Sequence, residues 1–491
     1  MNEDTPVVLN ICERLFSDFH EQEVVYCHWK SNEHLLEGLA GTTDLDIIVE
    51  SREKVEKILH QNGFKRFEPS WFIQYSGLED YLGYDVETGQ IVHIHLHYRL
   101  AIGNKRLKDY HLPWLNILFK RRVLDEEHGI YRVDPAMEMI LLLVRYALKI
   151  QKRDYIKSVS GEYLSENVVR EYEWLRERVD SEEVGRLAVD LLNNEAGEIV
   201  GSMLASRPSL RQFRKLRTVC TEELSTSRTY GYFESQVRGL LREVFLGCRS
   251  LNGRYFDQPR FYRRTVPAGG LQVVLLGVDG AGKSTLIEEL EEWLSWKLDV
   301  QRIYYGSGDG AATWLRYPLI AVRKRIAGGE TVASNDSTSD RPLVMRIGRV
   351  LRGVVLARER RKKLRKGWRA RNRGLVVLGD RYPQSQIMGF SDGPLLDHLS
   401  DSSSRLFRYL ASWERIVYRS AESRPPDLVI KLDISPETAR ERKPEMSKDK
   451  FETRAKAVES VEYDTDVVVV NAEQPLESVL KEVKQHVWKR M

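Results

Sequence analysis

One eight-residue segment constrains the fold of this 491-residue chain more than any other. Residues 277–284 read Gly-Val-Asp-Gly-Ala-Gly-Lys-Ser, which matches the pattern G-x-x-x-x-G-K-[ST]. An apolar, strand-like run at 271–276 precedes the segment, and a helix-like stripe of leucines at 286, 290 and 294 follows it. Such loops bind phosphate because their backbone N–H groups and the helix N-terminus point at the anion. The sequence therefore predicts a nucleoside-triphosphate site between a strand and a helix.

The side chains of this loop predict a site for ATP and Mg²⁺. Lys283 would reach the outer phosphates, and the hydroxyl of Ser284 would hold the metal ion. A glycine-rich turn with a chance lysine, or a loop that binds nucleotide without catalysis, are the alternative interpretations. The predicted nucleotide-binding positions are Gly277, Gly280, Ala281, Gly282, Lys283, Ser284 and Thr285.

The region 271–491 alternates short apolar strands with helices, which is typical of a parallel sheet covered by helices on both faces. We therefore assign the chain to the α/β class. Residues 328–340 are polar and rich in glycine and serine, which predicts a mobile loop. The predicted strands are 271–276, 300–305, 375–378, 428–432 and 467–470.

Further motifs in this region resemble those of the thymidylate kinase-like family of P-loop phosphotransferases. Asp279 lies where that family places an acid that contacts the acceptor, and residues 380–382, Asp-Arg-Tyr, resemble its D-R-Y motif. Residues 424–437 resemble its next strand and turn, and residues 440–443 fall where its arginine-bearing lid begins. The resemblance implies a kinase that transfers a phosphoryl group from ATP.

Phosphoryl transfer depends mainly on positive charge around the moving group. The resemblance assigns this role to Lys283, Arg381, Arg440 and Arg442. It implies that Asp380 holds a magnesium-bound water or an acceptor group in place. A strand-end aspartate that caps a turn, and arginines on a solvated helix face, are the alternative interpretations.

Two departures from the family bear on the phosphate acceptor. The R-E-P-type segment that grips the phosphate of thymidylate is replaced by residues 304–310, Tyr-Tyr-Gly-Ser-Gly-Asp-Gly, and the lid lacks the D-R-x-E pattern. An alcohol loses a proton on transfer, and Asp279 is placed to be the base. We therefore expect a small-molecule sugar or a glycan intermediate as acceptor. A nucleoside monophosphate kinase and a nucleotide-switched binding or scaffold protein are the alternatives.

A second constellation lies near the N-terminus. Asp44 and Asp46 open an apolar strand, and carboxylates at i and i+2 share one face, as a two-metal site needs. A hairpin is predicted from 81–86 and 91–98 around residues 87–90. Its second strand places three histidines on one face, which makes a mixed His/Asp metal site conceivable. These histidines are His93, His95 and His97.

This constellation resembles the nucleotidyltransferase fold of the bacterial group with a helical second domain. Lys30-Ser31 stands in place of its glycine-serine, and His95 in place of its third carboxylate. The resemblance implies metal ligands at Asp44 and Asp46. Nucleotidyl transfer, binding of a sugar or nucleotide, and a structural role remain open. The predicted domains are 1–125 (nucleotidyltransferase-like, α+β), 126–255 (helical), 256–270 (linker) and 271–491 (P-loop kinase).

Charge is distributed unevenly along the chain. The net charge is +4, but residues 341–374 contain fourteen Lys or Arg and one acidic residue. Motifs that read nucleic acid are absent and Trp368 is the segment's one aromatic residue, so we expect no nucleic-acid partner. The segment predicts a long helix that suits an anionic membrane surface or a polyanionic glycan.

Three further sequence features bear on where in the cell the protein is expected to lie. The first residues lack an apolar signal segment, apolar runs are too short to span a membrane, and the four cysteines form no C-x-x-C pair. We therefore expect a cytoplasmic protein, with peripheral contact to a membrane through 341–374. The sequence leaves oligomerisation open.

Overall fold

The chain divides into two units, Met1–Asp257 and Gln258–Met491. The structure is a computed structural model, and it confirms the α/β class. The predicted mobile loop at 328–340 lies outside the residues that the structure describes. The described residues are 6–70, 73–104, 107–150, 164–255, 263–266, 269–306, 343–388, 393–443 and 448–491.

The first unit begins with mixed strands and helices and continues with helices. Its strands are β1 (Tyr26–His28), β2 (Asp44–Val49), β3 (Lys65–Pro69), β4 (Leu78–Tyr84), β5 (Ile91–His97), β6 (Leu100–Ile102), β7 (Tyr110–Leu112), β8 (Arg122–Asp125) and β9 (Ile130–Val133). Its helices are α1 (Asn10–Glu21), α2 (Leu35–Leu39), α3 (Arg52–Gln61), α4 (Leu115–Lys120), α5 (Pro135–Lys149), α6 (Glu166–Arg176), α7 (Ser181–Leu191), α8 (Asn194–Ala205), α9 (Leu210–Glu223) and α10 (Tyr232–Tyr255).

The sheet of the first unit places β3, β4, β5, β2, β1, β9 and β8 side by side in that order. The β4–β5 pair is antiparallel and confirms the predicted hairpin, and Gly89 in its turn has a φ of 74°. The β2–β5 pair is parallel. Side chains of one face therefore align across β2, β5 and β4, because alternate residues of each strand point the same way.

The helical part of the first unit shares its core with the sheet. The predicted start of α5 is confirmed, because the carboxylate of Asp134 accepts hydrogen bonds from two N–H groups of its first turn and Pro135 follows. Residues of α5 to α9 pack in one hydrophobic cluster with Trp29 and Ile48. Strand β9 also pairs with β1, although it lies beyond residue 125. Packing and strand pairing in the first unit therefore extend across residue 125.

The second unit contains the predicted strands, and each is confirmed within two residues. The strands of this unit are β10 (Arg264–Thr265), β11 (Leu271–Leu276), β12 (Val300–Tyr304), β13 (Val376–Asp380), β14 (Leu428–Asp433) and β15 (Asp466–Asn471). Five of them form a parallel sheet in the order β12-β13-β11-β14-β15, so their carboxyl ends meet at one edge. The helices of this unit are α11 (Lys283–Ser295), α12 (Leu343–Arg371), α13 (Arg405–Glu422), α14 (Pro436–Arg442), α15 (Lys448–Ser460) and α16 (Leu476–Arg490).

The basic segment forms α12, which confirms the predicted long helix. Its apolar residues Leu356, Ala357 and Leu364 are buried, and six of the ten arginines and lysines whose side chains the structure describes on this helix are exposed. Among the described residues, no helix carries an apolar stretch long enough to cross a bilayer.

Candidate functional site

The glycine loop joins the end of β11 to the start of α11. Gly280 and Gly282 have φ values of +95° and +85°, a backbone conformation that residues other than glycine rarely adopt. A Cβ atom at Gly280 would also lie 3.1 Å from the carbonyl oxygen of Ala439 on α14. Glycine at these positions lets the backbone curl in front of the helix N-terminus, where N–H groups attract an anion.

Lys283, the first residue of α11, lies across this loop. Its Nζ donates hydrogen bonds to the carbonyl oxygens of Gly277 at 3.0 Å and Val278 at 2.8 Å. Burial, together with the nearby Arg381, lowers the pKa of Lys283 to about 8. A phosphate in the loop would be a stronger acceptor for this ammonium than neutral carbonyl oxygens are.

Ser284 and Asp380 meet at the edge of the sheet. The β11–β13 register pairs Leu275 with Asp380, so the carboxylate lies beside the loop that follows β11. The hydroxyl of Ser284 donates to Oδ2 of Asp380 at 3.3 Å. A hydroxyl and a carboxylate are the hard oxygen donors that Mg²⁺ prefers. These two residues therefore fit the predicted magnesium ion.

Asp279, inside the loop, is paired with two arginines. Arg381, whose φ is +67°, places its guanidinium 2.5 Å from Oδ1 of Asp279, and Arg454 of α15 contacts Oδ2. Burial raises the pKa of Asp279, but Arg381 and Arg454 outweigh it and the pKa is lowered. The carboxylate is therefore ionised at neutral pH, and it is a weaker base than an ordinary aspartate.

The predicted lid arginines lie on α14 and are exposed. Arg442 donates to the carbonyl oxygen of Ala472 at 3.2 Å, and no described contact joins Arg440 or Arg442 to the loop. Arg454 makes the contact to Asp279 instead. Arg454 was not predicted as a site residue because it lies beyond the lid motif, on a helix that no motif marks.

In the first unit, strand register brings the predicted carboxylates and histidines together. Asp44 pairs with His93 and Asp46 with His95 across β2 and β5, and Asp80 of β4 pairs with His95. Nδ1 of His93 lies 2.6 Å from Oδ1 of Asp44. Oδ1 of Asp80 lies 2.9 Å from Nε2 of His93 and 3.2 Å from Nε2 of His95. We call Asp44, Asp46, Asp80, His93 and His95 the Asp–His cluster.

Within this cluster, Asp46 has a cationic partner. Lys30 Nζ lies 2.8 Å from Oδ1 of Asp46, and Nε2 of His97 lies 3.1 Å from the same oxygen. Burial raises the pKa of Asp46, but Lys30 and the neighbouring histidines hold it well below its usual value. Burial lowers the pKa of His97 to about 3, so this imidazole is neutral. Asp46 is therefore already neutralised by Lys30.

The sequence did not predict two residues of this region, one in the cluster and one beside it. Asp80 lies one residue before the predicted hairpin strand. Glu138 of α5 accepts hydrogen bonds from the backbone N and side-chain Nδ2 of Asn32, at 2.9 Å and 2.7 Å. Helix α5 therefore fixes the turn that carries Lys30, in which Ser31 has a φ of 56°.

The parallel sheet and its glycine loop define the second unit as a P-loop α/β fold, with Lys283, Ser284 and Asp380 converging at the edge of the sheet.

No protein-family model matches the chain. It is 28% identical over 248 residues to "Uncharacterized ATP-binding protein YghR" of Escherichia coli strain K12, which covers 49% of the chain and 94% of YghR. It is 30% identical over 179 residues to "Uncharacterized ATP-binding protein YghS" of the same organism, which covers 35% of the chain and 73% of YghS. The chain therefore belongs to the same protein family as YghS.

Proposed function

We propose that the protein is an ATP-dependent phosphotransferase whose active site lies at the glycine loop of the second unit. The observation that carries this proposal is the meeting of Lys283, Ser284, Asp380 and Arg381 where β11 and β13 end. The names of YghR and YghS, both ATP-binding, support ATP as the nucleotide.

Each of these residues has a role in the proposed transfer. The loop N–H groups would hold the phosphates, and Lys283 would neutralise their charge. Ser284 and Asp380 would hold Mg²⁺, which supplies further positive charge to the phosphates. Arg381 and Arg454 lie beside the loop acid and would stabilise charge on the moving phosphoryl group.

The proposed acceptor is a hydroxyl of a sugar or glycan intermediate. Asp279 is ionised, so its carboxylate can accept a hydrogen bond from such a hydroxyl and orient it toward the phosphate. Its lowered pKa favours this orienting role over full removal of the proton before transfer. Thymidylate is disfavoured as acceptor because residues 304–306 supply no arginine for its phosphate.

Phosphate transfer from labelled ATP to a panel of sugars, glycans and thymidylate would test the proposal on the full chain with Mg²⁺. We expect a phosphorylated sugar or glycan, detected by ³¹P NMR, and far less product from Lys283→Ala in the same time. Rapid formation of the diphosphate of thymidylate would contradict the acceptor assignment. Tight ATP binding without transfer to any acceptor would instead favour a nucleotide-switched binding protein.

We also propose that α12 and α13 form a surface that binds anionic lipid. Arg361, Arg365 and Arg424 line a groove of about 250 Å³ together with the apolar Trp368 and Ile416. Exposed apolar side chains interleaved with arginines suit a lipid headgroup layer better than a soluble anion or nucleic acid. Further exposed residues of the two helices are Leu351, Arg358, Arg369, Arg405, Leu406, Tyr409 and Arg419.

Vesicle flotation would test this surface. We expect binding to vesicles that contain phosphatidylglycerol, weaker binding at high salt and none to neutral phosphatidylcholine vesicles. Arg361→Glu combined with Arg365→Glu should weaken binding by at least about 30-fold, since the loss of each basic residue costs roughly 1 kcal/mol and the new carboxylates add repulsion. The exposed pair Arg207→Glu and Arg211→Glu is the control. No binding at low salt, or preferential binding to RNA or DNA, would overturn the proposal.

A further inference from the structure

The Asp–His cluster offers a set of metal ligands that the sequence motif did not define. Asp44, His93 and His95 each present one ligand atom, and these atoms all lie within 4.8 Å of one another. A tetrahedral ion with bonds of about 2.0–2.1 Å separates its ligands by about 3.3 Å. Small side-chain rotations would therefore bring the three atoms into one coordination sphere.

Asp80 orients both imidazoles toward this point. Its Oδ1 lies within hydrogen-bonding distance of Nε2 of His93 and close to Nε2 of His95, at 2.9 Å and 3.2 Å. A carboxylate that accepts the N–H of a histidine fixes the tautomer and leaves the other ring nitrogen to bind a metal. In both histidines that other nitrogen is Nδ1. Nδ1 of His93 lies 2.6 Å from Oδ1 of Asp44. Nδ1 of His95 lies 3.9 Å from Oδ2 of Asp44 and 3.3 Å from Oδ1 of Asp46.

The short distance between Nδ1 of His93 and Oδ1 of Asp44 requires a proton between them. When Nε2 of His93 carries the proton shared with Asp80, Nδ1 presents a lone pair toward Oδ1 of Asp44. Two lone pairs 2.6 Å apart repel, so a proton lies between these two atoms at this distance. A metal ion would replace that proton once the two atoms move apart to about 3.3 Å. The convergence of the three ligand atoms allows a metal ion to take the place of this proton, and the donors determine which ion.

We infer that Asp44, His93 and His95 bind one divalent transition metal ion, such as Zn²⁺, Co²⁺ or Mn²⁺, with Asp80 as the orienting carboxylate. Imidazole nitrogens suit these ions, whereas Mg²⁺ prefers oxygen donors. The side chains of Asp44 and His95 are 33% and 20% exposed, which leaves an open side for water or a further ligand. The site differs from the predicted Asp44 and Asp46 pair because Asp46 is neutralised by Lys30.

Cobalt titration of the full chain tests the inference independently of the P-loop. Protein freed of metal by a chelator, and kept without nucleotide, is titrated with Co²⁺ and followed by visible absorption and calorimetry. We expect saturation at one Co²⁺ per chain, an absorption spectrum with nitrogen ligands, displacement by Zn²⁺ and no displacement by a large excess of Mg²⁺. Absence of saturable binding, or equal competition by Mg²⁺, would overturn the inference.

Variants assign the ligands. His95→Ala and Asp44→Asn should each weaken Co²⁺ binding by at least tenfold, since even partners outside the coordination sphere contribute about 10- to 100-fold. His128→Ala is the matched control, because His128 also pairs with an aspartate, Asp125, at 2.9 Å. Unchanged affinity in both cluster variants would contradict the site.

If His95→Ala does not fold, as judged by circular dichroism, His95→Asp replaces it. This variant should shift preference from Co²⁺ toward Mg²⁺, because one imidazole becomes a carboxylate. A folded His95→Asp that keeps the original preference would equally contradict the assignment.

Discussion

The two candidate sites are built in different ways. In the second unit a loop forms the site, and its groups contact one another: Lys283 bonds to loop carbonyls and Arg381 pairs with Asp279. In the first unit the register of adjacent strands fixes the Asp–His cluster. Both sites must exchange internal contacts for ligand contacts, but strand pairing fixes the backbone of the Asp–His cluster before a ligand arrives.

The two candidate sites also differ in how deeply their charged side chains are buried. Asp80 and His93 have side chains that are at most 3% exposed, so removal of one partner leaves buried charge uncompensated. Asp279, Arg381 and Arg454 are between 27% and 46% exposed, and ion pairs of that kind contribute about 0–1 kcal/mol to stability. Substitutions at the loop site should therefore change function with little effect on folding, and substitutions in the first unit should change both.

Lys283→Ala should have the largest effect on activity. Loss of one preorganised donor to a transition-state oxyanion typically costs about 10²–10³ in kcat, and we expect that loss in ATP turnover. Co²⁺ binding by the first unit should stay unchanged, since the two sites use different residues. Steady-state turnover and cobalt titration of the same preparation would measure both, with the exposed Lys481→Ala as the control. Retained turnover would remove the loop from catalysis.

Asp279→Asn should have the next largest effect. The amide keeps the shape but loses the charge that orients an acceptor hydroxyl, so kcat should fall by about 10- to 100-fold, at the low end of losses for proton-transfer groups. The Kd for ATP should change by less than about threefold, since the proposed role concerns the acceptor. Asp433→Asn, at an exposed strand end, is the control. A loss confined to ATP binding would contradict this role.

Arg454→Met should lower kcat by about tenfold or less, because Arg381 still faces Asp279. Arg442→Met should have a smaller effect, since Arg442 bonds to a backbone carbonyl away from the loop. Parallel kinetics of the two variants would show which of the two helices contributes more to kcat, α15 with Arg454 or α14 with Arg442. A larger loss for Arg442 would support the interpretation taken from the motif.

The features that the sequence predicted correctly are local. The glycine loop and the parallel strands depend on short-range patterns, and the alternation of His93, His95 and His97 predicts a shared face. Alternation does not set register, however, so the pairing of Asp80 with His95 was not predictable. Arg454 and Glu138 contact partners 175 and 106 residues away, and no local pattern encodes such contacts.

Glu138→Gln probes how helix α5 supports the turn beside the Asp–His cluster. Burial, followed by the nearby Glu171 and Glu33, raises the pKa of Glu138 to about 8 from 4.5, while the two donors of Asn32 oppose the rise. The folded chain therefore keeps a proton that the unfolded chain releases. The free energy of unfolding should fall as pH rises from about 5 to 8, and level off above the folded pKa.

Glutamine does not titrate, so the pH dependence of Glu138→Gln should be flatter than that of the unsubstituted protein. Scanning calorimetry between about pH 5 and 8.5 would measure this, with an expected difference on the order of 1–3 kcal/mol across the range. The exposed Glu173→Gln on α6 is the control and should follow the unsubstituted profile. Parallel profiles for all three proteins would show that Glu138 is ionised when folded, and that Asn32 outweighs burial.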